Sequence, residues 1–413
     1  MNILFIHEVD WLKKVVFEIH NLAEILSVRS HNVYAIDYED SWKKNGIFDL
    51  GNLKTKEFEG ISRAVPGSSV SLRRPGFIKI PVLSRVSASF SHYFEIQKTI
   101  KEKNIDVIML YSVPTNGLQV VHIARRFGIP VVFRSIDILH RLVRHPVLRP
   151  ATRCLEKKIY ARVDAILAIT PNHSRYVIGM GAAESKVRLL YMPIDTSLFH
   201  PSVDCSGVRQ KWGFAEKDRV VVFIGTLFEF SGLDAFIRRF PRVIDRIPEA
   251  KLLIVGDGPQ RKKLERTIAE LGLENRVTIT GFQPYGTMPQ YINLAAVCIN
   301  PFLNTDETRD IFPGKIIQYI ACGKIAVVTP LLGIKCLIPD ESKGVIYADT
   351  AADMAAKVAD LLASDERRQK LEQAGIDYVR QVHDQQKIGQ QLEAELQKIV
   401  TGNSDSVIPR TSN

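Results

Sequence analysis

Residues 313–330 read PGKIIQYIACGKIAVVTP, from Pro313-Gly314-Lys315 to Val328-Thr329-Pro330. Pro313 and Gly314 place a helix start, residues 316–322 continue as helix, and residues 324–330 are a β-branched run closed by proline. A helix feeding directly into such a strand is the repeating piece of an α/β layer. Upstream the same rhythm runs through RVVVFIGT (219–226), AKLLIVGD (250–257), RVTITG (276–281) and AAVCINP (295–301), and downstream through GVIYAD (344–349). Toward the N-terminus it recurs in NILFIHE (2–8), a helical pattern over 15–26, NVYAID (32–37), DVIMLYS (106–112), IPVVFRS (129–135) and DAILAIT (164–170). The rhythm fails in YMPIDTSLFHPSVDCSG (191–207), which reads as a linker, and in residues 43–85, which read as a long excursion beside the sheet.

The expected architecture is therefore α/β, with two Rossmann-like parallel-sheet domains facing a central cleft. Residues 1–195 and 196–385 form the domains, residues 386–400 a helix crossing back to the first, and residues 401–413 a disordered tail. A chain of 413 residues with 46% hydrophobic content suits two globular cores. The N-terminus enters a strand without a basic leader, and no apolar run approaches the roughly 20 residues of a spanning helix. A cytoplasmic protein is expected. Cys154, Cys205, Cys298, Cys322 and Cys336 are scattered, without metal-ligand spacing, and read as reduced thiols.

Charge divides unevenly, with 28 Lys and Arg against 18 Asp and Glu in residues 1–200, and 27 against 27 in the rest. Residues 125–162 hold ten basic side chains against only Asp137 and Glu156. Such a face attracts anions, whether anionic lipid or a phosphorylated substrate, or is simply a solvated helix surface. It lacks the interleaved aromatics of a nucleic-acid module, so no nucleic-acid partner is expected.

Ligands of open α/β sheets bind outside the carboxyl ends of strands. In the second domain these ends carry Gly225-Thr226-Leu227, Gly256-Asp257-Gly258-Pro259 and Gly281-Phe282. Glycine there admits a ligand close to the backbone, or is an ordinary turn. The fourth loop, Thr305-Asp306-Glu307-Thr308-Arg309-Asp310-Ile311-Phe312-Pro313-Gly314-Lys315, sets a full positive charge in the first turn of a helix, where the dipole disfavours it. Either an anion binds there or Lys315 points into water.

PGKIIQYIACGKIAVVTP, with FIGTLFEFSGLDAFI, KLLIVGDGPQRKKLE and RVTITGFQPYGTMPQYINLAAVCINPF before it, resembles the GT-B retaining glycosyltransferases, in particular family four. The likeness covers nearly all of residues 219–348, with YMPIDTSLFHP similar to the interdomain segment and RSIDILH and YARVDAILAIT a looser match in the first half. The resemblance implies roles for particular residues. The family's two glutamates, separated by seven residues, reach the transferred sugar and the ribose; Asp310 and Gln318 stand at those places. Its diphosphate-holding Arg and Lys are replaced by Thr226 and Ser231, and Lys315 with Arg309 are the candidate substitutes. The Gly-Gly loop after the first strand is replaced by His7-Glu8-Val9-Asp10-Trp11, where Asp10 and Trp11 either face the acceptor or pack. In the first domain RSIDILH offers Asp137 and His140 near the reacting carbon, His140 resembling the family histidine that contacts the sugar or else a helix-start residue. In retaining members the leaving phosphate is taken to deprotonate the acceptor, so no strong protein base is needed.

The resemblance implies catalytic roles for His140, Asp137 and Asp310. The donor set comprises Gly225, Thr226, Ser231, Gly256, Asp257, Gly258, Phe282, Arg309, Phe312, Pro313, Gly314, Lys315 and Gln318. The nucleotide sugar, a UDP- or GDP-sugar, is a substrate rather than a cofactor. No metal is expected, because Asp306-Glu307 does not make a D-x-D pair. The acceptor expected is lipid-linked or a polysaccharide, met at the inner membrane face through the basic first domain. A sugar-nucleotide epimerase and a non-catalytic nucleotide-sugar binder are the alternatives on the same fold.

Overall fold

A computed structural model describes residues 1–39, 50–80, 83–111, 113–143 and 146–402. The chain separates into two compact units, Met1–Tyr191 together with the residues from Gln386 on, and Met192–Gln385.

The first unit is built on eight strands: β1 (Asn2–Ile6), β2 (Asn32–Ile36), β3 (Lys56–Ile61), β4 (Val70–Arg74), β5 (Val107–Leu110), β6 (Val131–Ser135), β7 (Ala165–Ala168) and β8 (Val187–Leu189). They lie in the order β3-β4-β2-β1-β5-β6-β7-β8, all parallel except the β3–β4 pair. Successive side chains point to opposite faces of a strand, and the two cores follow that alternation. Leu4, Ile6, Ile108, Leu110 and Phe133 face a layer containing helices Leu83–Lys103, Gly117–Phe127 and Arg149–Tyr160. Ile3, Phe5, Val107, Met109 and Val132 face helix Glu18–Val28 and the last helix, Gln385–Thr401, which inserts Ile388, Leu392 and Leu396 into this core.

Within residues 43–85 the structure differs from the expected excursion, since β3 and β4 are strands of the sheet itself. Two arginines hide β4 from a hydrophobicity reading. Both are buried, Arg74 bonding Asp10 at 2.7 Å and also Asp37, while Arg73 meets Glu95 at 3.1 Å and Glu102 at 2.7 Å. Buried guanidinium groups are tolerable only with such partners. Residues 43–49 and 81–82, Arg144 of the basic segment, and the expected tail beyond residue 402 lie outside the described residues; Thr401 is still helical.

The second unit is a six-stranded, wholly parallel sheet of β9 (Arg219–Ile224), β10 (Ala250–Val255), β11 (Val277–Ile279), β12 (Val297–Asn300), β13 (Ala326–Val328) and β14 (Val345–Tyr347), ordered β11-β10-β9-β12-β13-β14. The middle strands are buried on both faces, which explains their unbroken apolar runs. Successive crossovers leave β9 in one direction and β12 in the other, so a crevice opens outside the carboxyl ends of these two strands. In the first unit the equivalent reversal lies between β1 and β5.

Candidate donor and acceptor sites

The β9 and β12 ends of the second unit carry the fourth-loop helix. Tyr319, fully buried, accepts the Ile224 amide proton at 2.8 Å and locks helix Lys315–Ala321 onto the end of β9. That lock delivers Lys315 to Gly225. The Lys315 ammonium lies over the rings of Phe223, at 4.1 Å, and Phe302, at 4.7 Å. A Cβ on Gly225 would come within 2.4 Å of Lys315 Nζ, and its φ of +145° is one that side chains rarely adopt. No carboxylate within ion-pair distance neutralises Lys315 among the described residues, and burial pulls its pKa down to about 7. An ammonium held against two aromatic faces with no anion is prepared for a ligand that brings one.

At the end of β12, Asn300 has its side chain fully buried and neither amide atom bonded within the protein. A buried unsatisfied carboxamide is costly unless something supplies its partners. The sequence reading missed Asn300; the available signal was one polar residue closing an otherwise apolar strand, VCIN, at the strand where the order reverses.

The other predicted donor residues divide. Gly256, with φ +148°, sits backbone to backbone on Gly225, where a Cβ would fall 2.0 Å from the Gly225 carbonyl oxygen. Gly258 supports the same junction, in which the Leu227 amide bonds the Asp257 carbonyl at 3.0 Å. These glycines serve loop-on-loop packing first. Asp257 spends its carboxylate on the Gly258 amide at 2.8 Å and on Arg261 at 3.0 Å. Thr226 and Phe282 are exposed. Asp310 is buried, with Arg309 Nε 3.5 Å from its carboxylate, and Gln318 is half-buried on the Lys315 helix. Pro313 is buried and Gly314 caps that helix. Phe312 stacks parallel on His383, whose pKa burial lowers to about 4. Ser231 requires a correction as a donor contact. It is buried and its hydroxyl donates to Phe228 O at 2.6 Å, closing the turn before Gly232 instead of offering that proton to a ligand.

In the first unit the loop after β1 is filled from within. Glu8 accepts the amide protons of Thr115, at 2.7 Å, and Asn116, at 3.1 Å, and pairs with Arg85 at 3.0 Å. It thereby caps helix Gly117–Phe127, a place where an anion would otherwise bind. Asp10 accepts from the Leu12 and Lys13 amides, and the Trp11 amide bonds Asp37 at 2.7 Å, so both residues are buried parts of the loop rather than acceptor-facing groups. His140 meets Glu156 through Nδ1 at 2.6 Å, with Tyr176 bonded to both. Asp137, on the same loop, is not its partner; burial, then the nearby Glu18 charge, lifts its pKa to about 6. His7 is kept neutral by burial, its pKa near 3, and its Nδ1, the Ser135 hydroxyl and the Asn116 amide are buried without a partner. Ser135 and Asn116 also escaped the sequence reading. All stand at the carboxyl ends of β1, β5 and β6 or in the loops after them.

Comparison with known proteins gives the family and the fold. Residues 207–378 match the family described as "Glycosyl transferases group 1", and residues 20–193 match "Glycosyl transferase 4-like domain", together well over half of the chain. The chain belongs to the group 1 glycosyl transferases. It is 26% identical over 262 residues to the alpha-D-kanosaminyltransferase of Streptomyces kanamyceticus, covering 60% of this chain and 65% of that protein. It is 28% identical over 234 residues to a GDP-mannose-dependent alpha-(1-6)-phosphatidylinositol monomannoside mannosyltransferase of Mycolicibacterium smegmatis, covering 55% and 60%. The chain thus spans less than two thirds of the length of these curated relatives. Among solved structures, HepE of Anabaena in complex with UDP and glucose superimposes with a TM-score of 0.74 at 18% identity, over 96% of this chain and 100% of that one. Sucrose-phosphate synthase of Thermosynechococcus elongatus gives 0.75 at 17% identity, over 97% and 100%. The two parallel-sheet domains are those of the GT-B fold. In this group 1 glycosyl transferase the β9–β12 crevice carries Lys315 on the fourth-loop helix, with Thr226 and the turn-closing Ser231 on the β9 loop.

Proposed function

We propose that the chain is a metal-independent, retaining glycosyltransferase that moves a sugar from a UDP- or GDP-sugar to a lipid-linked or polysaccharide acceptor held at a membrane. The observation that carries the donor half is Lys315, an unneutralised ammonium between two aromatic rings at the Gly225 turn. There it would hold the diphosphate and stabilise charge on the leaving group, the work a metal ion does elsewhere. Asn300 would bond the phosphate or sugar oxygens, Asp310 the transferred sugar, and Gln318 the ribose. The first unit offers neutral hydrogen-bonding groups, His7, Asn116 and Ser135, together with Asp137 and the Glu156-held His140. Such groups suit the hydroxyls of a sugar acceptor. The relatives support both nucleotide classes, one being a GDP-mannose-dependent phosphatidylinositol monomannoside mannosyltransferase and one solved structure a complex with UDP and glucose.

Thermal stabilisation by UDP, GDP, ADP and their sugars, with and without EDTA, tests the reading. A selective shift that survives EDTA and disappears in Lys315→Ala is the expected outcome. Stabilisation abolished by EDTA would overturn metal independence, and a product with inverted anomeric configuration would overturn retention. The buried Ser231, standing where the family has a cation, favours one second reading, a binder without turnover. It would show the nucleotide shift with neither transfer nor hydrolysis.

A further inference from the structure

Helix Leu83–Lys103 has two apolar faces. Ala88, Ile96 and Ile100 are buried against the first sheet. On the other side Leu83, Val86, Phe90 and Phe94 recur every three to four residues and remain 49%, 53%, 64% and 65% exposed. With Leu53 and Ile78 they wall an apolar groove of about 820 Å³, and Leu50 and Leu53, 61% and 59% exposed, widen the patch. Four large apolar side chains aligned on one helix are thus left about half or more in solvent. A contiguous apolar surface of this kind marks an interaction site.

Charge indicates the partner. The whole positive excess of the chain lies in residues 1–200, the part that bears the stripe. Lys54, Arg85 and Lys98 stand close to the apolar residues, Arg85 paired with Glu8 and Lys98 with Glu102, and, among the described residues, the one acid that lines the groove, Glu95, is buried and paired with Arg73. The neighbouring helices of the same layer, Gly117–Phe127 and Arg149–Tyr160, expose Arg125, Arg126, Arg153, Lys157 and Lys158, and the turn before the second exposes Val147 (88%) and Leu148 (54%). An aromatic stripe on a helix layer that also exposes basic residues matches the boundary between headgroups and acyl chains of an anionic bilayer. The topology adds an orientation. Helices of this layer return from the carboxyl edge of the sheet, and Arg85 bonds Glu8 after β1 and Thr115 after β5. The stripe therefore begins at the edge that carries His7, Asn116, Ser135 and Asp137.

We propose that this face docks on an anionic phospholipid bilayer, with Phe90 and Phe94 entering the acyl boundary and the basic residues staying among the headgroups. The proposal builds on the reading of a membrane-held acceptor, and it assigns the docking to an apolar stripe in addition to the basic segment. The test uses the full chain, sedimented with vesicles of phosphatidylcholine alone or mixed with phosphatidylglycerol, at low and high salt. Wild type is expected to bind the mixed vesicles, and F90S/F94S to lose about tenfold or more in partition at both salt concentrations. Its UDP stabilisation should be unchanged. In a Phe90→Trp variant, emission should shift to the blue on the mixed vesicles and be quenched by brominated lipid, relative to wild type. Vesicle binding that survives F90S/F94S, unshifted emission from Phe90→Trp, or no vesicle binding by wild type would each overturn the proposal. A self-association lost in F90S/F94S would do so too, by assigning the face to a second copy. Loss of UDP stabilisation in wild type would instead strike the donor reading and leave the membrane result standing.

Discussion

The two sheets reverse their strand order in the same way, yet treat charge at that reversal oppositely. Around β1 and β5 the first unit neutralises its charges internally: Glu8 on a helix start and Arg85, Arg74 on Asp10 and Asp37, Arg134 on Glu18 at 2.8 Å. Among the described residues, the buried atoms it leaves unbonded there are uncharged, namely His7 Nδ1, Trp11 Nε1, Asn116 and Ser135, while Asp137 at the same edge has its carboxyl pKa lifted to about 6 by burial. Around β9 and β12 the second unit leaves, among the described residues, a cation unneutralised and an unbonded carboxamide at the end of β12. One topology thus leaves neutral hydrogen-bonding groups open in one copy and a cation in the other. The chemistry resides in what the fold declines to pair.

Breaking the paired side should cost stability and spare the ligand. Arg74→Met leaves Asp10 and Asp37 without their common partner in a buried place and is expected to lose about 3–5 kcal/mol in urea unfolding. Nucleotide affinity of the folded fraction, read by calorimetry, should stay at the wild-type value. Breaking the open side should do the reverse. Lys315→Ala is expected to lower donor turnover by about 10²–10³-fold. It should leave the stability of the free protein unchanged or improved, because a partly desolvated ammonium without a counter-ion opposes folding. Loss of both together would erase the distinction drawn between the units.

A subtler contrast is in pH. The folded pKa of Lys315, about 7, lies below that of a lysine in water, so the free protein sheds this proton as pH rises through 7. A diphosphate favours the charged form, and binding must then take up a proton. UDP affinity should fall about tenfold per pH unit above 7, until the bound lysine itself titrates, and Lys315→Arg should flatten the profile. The smallest effect expected is that of Glu8→Ala, which removes a helix cap for about 1 kcal/mol and leaves that pH profile unaltered.

Much of this was legible in the sequence because parallel strands buried on both faces write themselves as unbroken apolar runs, and Pro313-Gly314 marks its helix start. Lys315 stood out for a physical reason, a cation where a helix dipole disfavours one. β4 did not, since its arginines become buried only by meeting carboxylates from distant parts of the chain. Asn300, Asn116 and Ser135 were invisible for the complementary reason. A single polar residue at a strand end is an ordinary turn in sequence, and only the packed structure reveals that nothing inside satisfies it. Ser231 illustrates the opposite error, a hydroxyl assigned outward by alignment and turned inward by a three-residue turn.

The last helix has a consequence for how the molecule is made. Ile194 pairs with Asp384, its amide bonding the His383 carbonyl at 2.8 Å, and the chain then returns Ile388, Leu392 and Leu396 to the first core. During synthesis the strands of the first unit are made before the second unit but lack a wall until the helix Gln385–Thr401, which follows the second unit, has been made as well. The second unit, spelled out in one continuous stretch, is free to finish first. Truncation before residue 388 would therefore leave the first unit as the incomplete one.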